Sequence, residues 1–78
     1  MSYKFYGSLD DLKELLSFLN IKGIWYDYIK RSTTQVQFKC ENGEILNFYY
    51  GTHTILIQGR KLDDKSPTLL SQLQDYLY

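Results

Sequence analysis

Apolar and polar residues alternate most clearly between Thr34 and Gly59, and this stretch predicts three antiparallel strands joined by two tight turns. The first turn contains Asn42-Gly43, the strongest short-range signal for a hairpin. The second contains Gly51-Thr52. Because successive side chains of a strand point to opposite faces of a sheet, the exact form of each turn decides which residues face the core.

The first turn is compatible with two registers. A two-residue loop would place Glu41 opposite Glu44, and two like charges would then oppose each other. A three-residue loop that ends at Gly43 pairs Phe38 with Leu46, and it needs Gly43 in the left-handed conformation of a bulge. Apolar residues then meet apolar residues across the strands. We therefore predict the three-residue loop.

For the second turn we predict a two-residue Gly51-Thr52 loop with a positive φ at Gly51, which pairs Phe48 with Ile55. Together the two turns give one apolar face, which we assign to the core: Val36, Phe38, Leu46, Phe48, Ile55 and Ile57. The opposite face mixes aromatic, amide, aliphatic and basic groups: Gln35, Gln37, Lys39, Ile45, Asn47, Tyr49, Thr54, Leu56 and Gln58.

Helical patterns lie on both sides of this stretch. Ser8 suits an N-cap with Asp11 at the capping-box position, and leucines at helical spacing predict a helix from about Leu9 to Leu19, with exit signals at Asn20 and Gly23. Ser66-Pro67 predicts the start of a second helix. Its apolar stripe consists of Leu69, Leu70, Leu73, Tyr76 and Leu77.

Two further segments carry strand patterns. Residues 1–7 predict a short strand or an extended lead-in that adds to a sheet edge. Ile24–Arg31 predicts another strand, which presents either Ile24, Tyr26 and Tyr28 or Trp25, Asp27 and Ile29 to the core. Its bulky residues on both faces predict an inner strand or one that a partner covers.

Strands grouped between two helices predict an α+β fold. We expect a single domain over residues 1–78. It has one antiparallel sheet of about four strands, or five if the N-terminal segment joins it, and both helices pack on one face. Thirteen large aromatic side chains, eight Tyr, four Phe and one Trp, supply the core bulk that so short a chain needs.

Charge and cysteine content narrow the classes of function. Nine basic and nine acidic residues cancel, which disfavours binding to nucleic acid or anionic membrane by bulk electrostatics. The single Cys40 cannot form an internal disulfide, so we expect a cytoplasmic protein. No apolar run has the length of a membrane span, and the N-terminus lacks a signal-peptide pattern.

Residues that often carry chemistry have structural explanations in this sequence. His53 stands beside a turn, and no serine, cysteine or carboxylate has a spacing that implies a dyad with it. Cys40 fits a small buried apolar residue, and one Cys with one His cannot build a zinc site. Asp10-Asp11 fits helix capping, and Asp63-Asp64 fits a solvated loop. We therefore predict a protein that is not an enzyme and uses no metal or cofactor.

Several short motifs together resemble a known family: Phe5-Tyr6-Gly7-Ser8-Leu9-Asp10-Asp11-Leu12, Ile21-Lys22-Gly23-Ile24-Trp25, Asn42-Gly43, Leu46-Asn47-Phe48-Tyr49, Gly51-Thr52 and Ile57-Gln58-Gly59. Their order resembles small bacterial and phage domains of the TATA-binding-protein-like, or helix-grip, type. It is also similar to the N-terminal substrate-binding domain of the type three ribonuclease H. The resemblance implies a sheet whose exposed face holds a nucleic-acid duplex or another protein.

The mixed sheet face is therefore the candidate binding site. Because the chain has no net positive charge, our first hypothesis is a protein-binding module, such as a phage or mobile-element inhibitor of a host defence complex (anti-CRISPR-like). The second is a binder of duplex or RNA/DNA hybrid, with Arg31, Lys39 and Arg60 on phosphates. The third is a subunit that forms a homodimer through a strand edge. The proposed contact residues are Gln35, Gln37, Lys39, Ile45, Asn47, Tyr49, Leu56 and Gln58.

Overall fold

The computed structural model describes residues 2–28 and 34–78. Within these residues, five strands form one sheet, two α-helices follow the pattern predicted from the leucine stripes, and a short 3-10 helix extends the second of them. The elements, in chain order, are β1 Ser2–Lys4, α1 Leu9–Phe18, β2 Gly23–Tyr28, β3 Gln35–Cys40, β4 Glu44–Tyr49, β5 Thr54–Gly59, α2 Leu69–Leu73 and the 3-10 helix Gln74–Tyr76.

The sheet is antiparallel throughout, with the strand order β1-β5-β4-β3-β2. The α+β prediction is confirmed, and the N-terminal segment is the fifth strand. In the first hairpin Phe38 pairs with Leu46 and Val36 with Phe48. Gly43 has a φ of +101° and its N–H donates to the Cys40 carbonyl at 3.0 Å. The three-residue bulged loop is therefore confirmed.

The second hairpin has the predicted register but a different turn. Phe48 pairs with Ile55, and the last pair of the ladder is Tyr49 with Thr54. Four residues, 50–53, form the loop, and His53 has the positive φ of 56° that we expected at Gly51. The prediction for Gly51 was wrong because a longer loop moves the left-handed position to its last residue, just before β5.

One face of the sheet forms the core together with both helices. Leu12 and Leu16 of α1 and Leu69 and Leu73 of α2 are fully buried in the same cluster as the inward residues of β3, β4 and β5. The ring of Phe5 contacts that of Phe48 edge-on at 5.8 Å. Ile57 is partly buried against the same cluster. Neither helix in the described part of the chain is long and apolar enough to cross a membrane.

Both ends of α1 are closed by local hydrogen bonds. Ser8 Oγ accepts from the Asp11 N–H at 3.1 Å, and the Asp11 carboxylate accepts from the Ser8 N–H at 2.8 Å, which is the predicted capping box. The helix ends at Phe18, one residue before the predicted end. Asn20 then adopts a φ of +58°, and the Ile21 N–H reaches the Leu16 carbonyl at 2.9 Å, as in a Schellman motif.

The second helix begins later than the sequence suggested. Its N-cap is Thr68, whose Oγ1 accepts from the Ser71 N–H at 3.1 Å, so the predicted start at Ser66-Pro67 was wrong. The carboxylate of Asp63 explains the shift, because it accepts hydrogen bonds from the N–H and hydroxyl of Ser66 and holds that residue in the preceding loop. The first residue of β4 contacts α2, since Glu44 Oε1 accepts a hydrogen bond from the Leu69 N–H at 2.8 Å.

β2 is an edge strand in the described sheet, so the alternative of an inner strand was wrong. It starts at Gly23 rather than Ile24, and the predicted residues 29–31 lie outside the described part of the chain. The sequence left open which side chains of β2 face the core. In the structure Trp25 does, because it packs on Phe38 with ring centroids 4.8 Å apart. A side chain at Gly23 would collide with the Lys39 carbonyl and the Phe38 ring, which explains the glycine.

Candidate binding face

In the described part of the chain, the second face of the sheet carries no helix, because α1 and α2 both pack on the first. Strand pairing aligns its side chains in three rows that run across the strands. We call this surface the outer face and define it by these described residues: Ser2, Lys4, Ile24, Tyr26, Gln35, Gln37, Lys39, Ile45, Asn47, Tyr49, Thr54, Leu56 and Gln58.

A network of side-chain amides lies at the centre of the outer face. Asn47 is only 1 % exposed, and its Oδ1 accepts from Gln35 Nε2 at 3.0 Å and from Gln37 Nε2 at 2.9 Å. Its Nδ2 donates to Gln58 Oε1 at 2.9 Å and to the Leu56 carbonyl at 3.2 Å. All four hydrogen-bonding positions of the Asn47 amide are thus used. The network fixes three glutamine side chains across β3 and β5 from one buried residue.

Apolar and aromatic side chains surround these amides. Ile45, Tyr49 and Leu56 are half-buried among their neighbours on β3, β4 and β5. Toward the β2 edge, Ile24 is 60 % exposed and Tyr26 is 44 % exposed. The outer face thus combines a fixed amide centre with exposed apolar groups at its β2 edge.

The charges of the outer face are all positive. Its only charged residues are Lys4 and Lys39, and none of the described positions that define it holds a carboxylate. The ammonium of Lys39 lies 4.9 Å from the centre of the Tyr26 ring, and that of Lys4 donates to the Thr52 carbonyl at 3.0 Å. A chain with no net charge therefore presents a locally positive sheet face.

The structure brings together seven of the eight proposed contact residues as accessible or half-buried groups. The eighth, Asn47, lies on the same face, but it is buried and forms hydrogen bonds to the three glutamines. Of the three residues proposed for phosphate contacts, Lys39 is exposed on the face, and Arg60 is exposed just beyond β5, at the same end of the sheet. Arg31 lies outside the described residues.

Sequence reasoning missed four members of the face: Ser2, Lys4, Ile24 and Tyr26. The first two depend on which edge of the sheet β1 joins and on its register with β5, and neither was predicted from the sequence. The other two depend on the facing of β2. The size of Trp25 was the available signal, because the largest apolar surface in a strand gains most by turning toward the core.

Two carboxylates away from the outer face, Asp11 and Asp63, stabilise local structure. Hydrogen bonds from the backbone and side chain of Ser8 lower the pKa of Asp11 below its ordinary value. Hydrogen bonds from the backbone N–H groups of Ser66 and Lys65 lower the pKa of Asp63, and the Ser66 hydroxyl and the Lys61 charge lower it further. Cys40 is a half-buried free thiol. Among residues 2–28 and 34–78, no three His, Cys, Asp or Glu side chains are close enough together to bind a metal ion.

A groove of about 450 Å³ opens on the helix side, between the C-terminal half of α1 and β2. Its walls include Lys13, Ile21, Trp25 and Glu41, and the Lys13 ammonium lies 5.5 Å from the centre of the Trp25 ring. Glu41 is its one carboxylate, and no histidine, cysteine or second acid faces it among the lining residues.

No family model, curated protein or solved structure matches the chain at a significant level. The family resemblance of the short motifs is thus an expectation from the sequence.

Proposed function

We propose that this protein is a non-enzymatic binding module that holds another protein on its outer face. The observation that carries the proposal is the Asn47 network, which buries an amide on a face that no described helix covers. Ordering three glutamine side chains costs conformational entropy in the free protein. A partner then meets hydrogen-bonding groups that are already oriented, beside the half-buried Tyr49 and Leu56.

The positive charges and the absence of carboxylates on the face point to an acidic surface on the partner. Complementary charge of this kind raises the rate of association and selects among partners more than it raises affinity. The resemblance to small phage domains adds a narrower proposal, that the partner belongs to a host defence complex which the module inhibits. The half-buried free thiol of Cys40 supports a cytoplasmic location.

Affinity capture with defined variants tests the proposal. Leu56→Asp places a carboxylate in the middle of the face, and Tyr49→Ala removes aromatic area beside it. We expect each variant to lose at least tenfold in affinity for a protein captured by the wild type, which corresponds to about 1.4 kcal/mol. Binding is measured by calorimetry with the captured protein after its identification by mass spectrometry.

The matched control is Phe18→Asp, because Phe18 is 79 % exposed at the end of α1, on the opposite side of the sheet. This variant should bind the partner as the wild type does. Equal binding by Leu56→Asp and the wild type would reject the proposal. A loss with Phe18→Asp alone would reject it too and would place the contact on the helix side.

Nucleic acid is the second candidate, and the positions of Lys39 and Arg60 favour it. Both are exposed at one end of the sheet, and flat aromatic groups such as Tyr26 can stack on bases. Phosphate contacts release counterions, so binding would weaken steeply with added salt.

Fluorescence anisotropy with a labelled RNA/DNA hybrid and a labelled duplex separates the two candidates. Nucleic-acid binding predicts retention at low salt that falls with salt, and a shallower salt slope for Lys39→Gln. If neither probe is retained at low salt, this candidate is rejected.

A further inference from the structure

The two edges of the sheet are built differently. At one edge, β1 has three residues, includes Lys4, and is itself covered, because the Lys4 N–H donates to the Tyr78 carbonyl at 2.8 Å and the Tyr78 N–H donates back at 2.9 Å. A short strand, a lysine and a covering segment are the usual means by which proteins prevent unwanted pairing at an edge.

Within residues 2–28 and 34–78, the β2 edge has none of these features. It is six residues long, its sequence contains neither lysine nor proline, and no described strand pairs with its outer side. Two apolar side chains next to this edge, Ile24 and Tyr26, are exposed on the outer face. The one charged residue of β2 is Asp27, and its six-residue edge otherwise offers its outward N–H and C=O groups to another strand.

The hydrogen-bonding groups that β2 offers follow from its register with β3. The Glu41 N–H donates to the Lys22 carbonyl at 2.9 Å, which makes these two residues a hydrogen-bonded pair. Such pairs alternate along an antiparallel ladder, so Ile24 and Tyr26 bond to β3 as well. The N–H and C=O groups of Gly23, Trp25 and Asp27 therefore point away from β3, toward the free edge.

We infer that β2 pairs with β2 of a second copy of this chain, antiparallel and centred on Trp25. In that register Trp25 exchanges two hydrogen bonds with Trp25 of the second copy. Gly23 exchanges two hydrogen bonds with Asp27 of the second copy. By symmetry, Asp27 exchanges two hydrogen bonds with Gly23 of the second copy.

The same register is self-complementary on the outer face. Ile24 lies directly opposite Tyr26 of the second copy, and Tyr26 lies opposite its Ile24. Pairs of an aromatic with a β-branched residue are among the favourable cross-strand pairs. The same strand thus supplies both the aromatic and the β-branched residue of each pair. This complementarity favours a second copy over an unrelated strand, and it would join the two sheets into one of ten strands.

Sedimentation velocity and equilibrium over a range of concentrations test the inference. The wild type should form a dimer of twice 9.3 kDa. Ile24→Glu places a carboxylate next to Lys39 within the chain, so the monomer keeps its fold, but it puts that charge against Tyr26 of the second copy. Because the contact occurs twice, we expect a dissociation constant at least tenfold higher. Ser2→Glu adds a carboxylate at the opposite edge and should leave the dimer intact.

Hydrogen exchange identifies the surface involved. The Trp25 amide should become protected as the protein concentration rises, whereas the Ile24 amide, bonded to β3, should be protected at every concentration. A monomer at all concentrations overturns the inference, and so does a dimer that Ile24→Glu leaves unchanged. The proposed partner binding is tested apart from it, by Leu56→Asp, so either one can fail while the other holds.

Discussion

Replacement of Asn47 by alanine tests the organisation of the outer face most directly. The substitution removes the four hydrogen bonds made by the Asn47 amide, to Gln35, Gln37, Gln58 and the Leu56 carbonyl. A typical hydrogen bond contributes a net ~1 kcal/mol to the free energy of unfolding. The three glutamines are not fully buried and can turn to water, so the loss is smaller than four full bonds.

We therefore expect Asn47→Ala to lower the free energy of unfolding by about 2–3 kcal/mol. For a chain of this size that corresponds to a fall in melting temperature of roughly 10–20 °C. Gln37→Ala is the comparison, because it removes one bond from a half-buried side chain and should cost about 0.5–1 kcal/mol.

Urea unfolding followed by far-UV circular dichroism, with equal m-values for the three proteins, gives the two differences. Equal costs for Asn47→Ala and Gln37→Ala would show that Asn47 does not organise the network. The outer face would then consist of independent surface side chains, and the structural support for the proposed binding site would be lost.

Three further substitutions test local features of the fold. Asp11→Asn should be less stable than the wild type at neutral pH. Because folding lowers the pKa of Asp11 from 3.8, this difference in stability should shrink as the pH falls below 3.8 and vanish below the lowered pKa. Thermal unfolding of both proteins across this pH range measures the difference. Gly43→Ala should cost about 2 kcal/mol or more in chemical unfolding, since it forces a side chain to a φ of +101°. Glu44→Ala should cost about 2–3 kcal/mol because the N–H of the buried Leu69 loses its charged acceptor, whereas Glu44→Gln keeps an acceptor oxygen and should cost less.

Local chemistry explains why the first hairpin could be predicted and the second turn only in part. At Gly43 the like charges of Glu41 and Glu44 and the apolar pairs across the strands all favour one loop. At the second turn a two-residue and a four-residue loop give the same strand pairs, so the register was predictable. The residue with a positive φ could not be predicted in this way, and in the structure it is His53.

Tertiary contacts decided what the sequence left open. Trp25 turns inward because Phe38 and α1 offer it a surface, and that surface exists only after the helix packs on the sheet. The burial of Asn47 follows in the same way from amides brought together across three strands. Its polar character predicted the correct face but not its burial, because strand alternation carries no information about how neighbouring side chains pair.

The conformation of the loop at Asn42-Gly43 also affects how fast Asn42 deamidates. Asparagine followed by glycine deamidates readily in flexible peptides, because the glycine nitrogen attacks the side-chain carbonyl. Here the Gly43 N–H is bound to the Cys40 carbonyl, and the Asn42 amide is held by the Glu44 N–H and carboxylate. The folded protein should consequently resist this reaction and the unfolded chain should undergo it, so the deamidated fraction of a stored sample would record the time its molecules have spent unfolded.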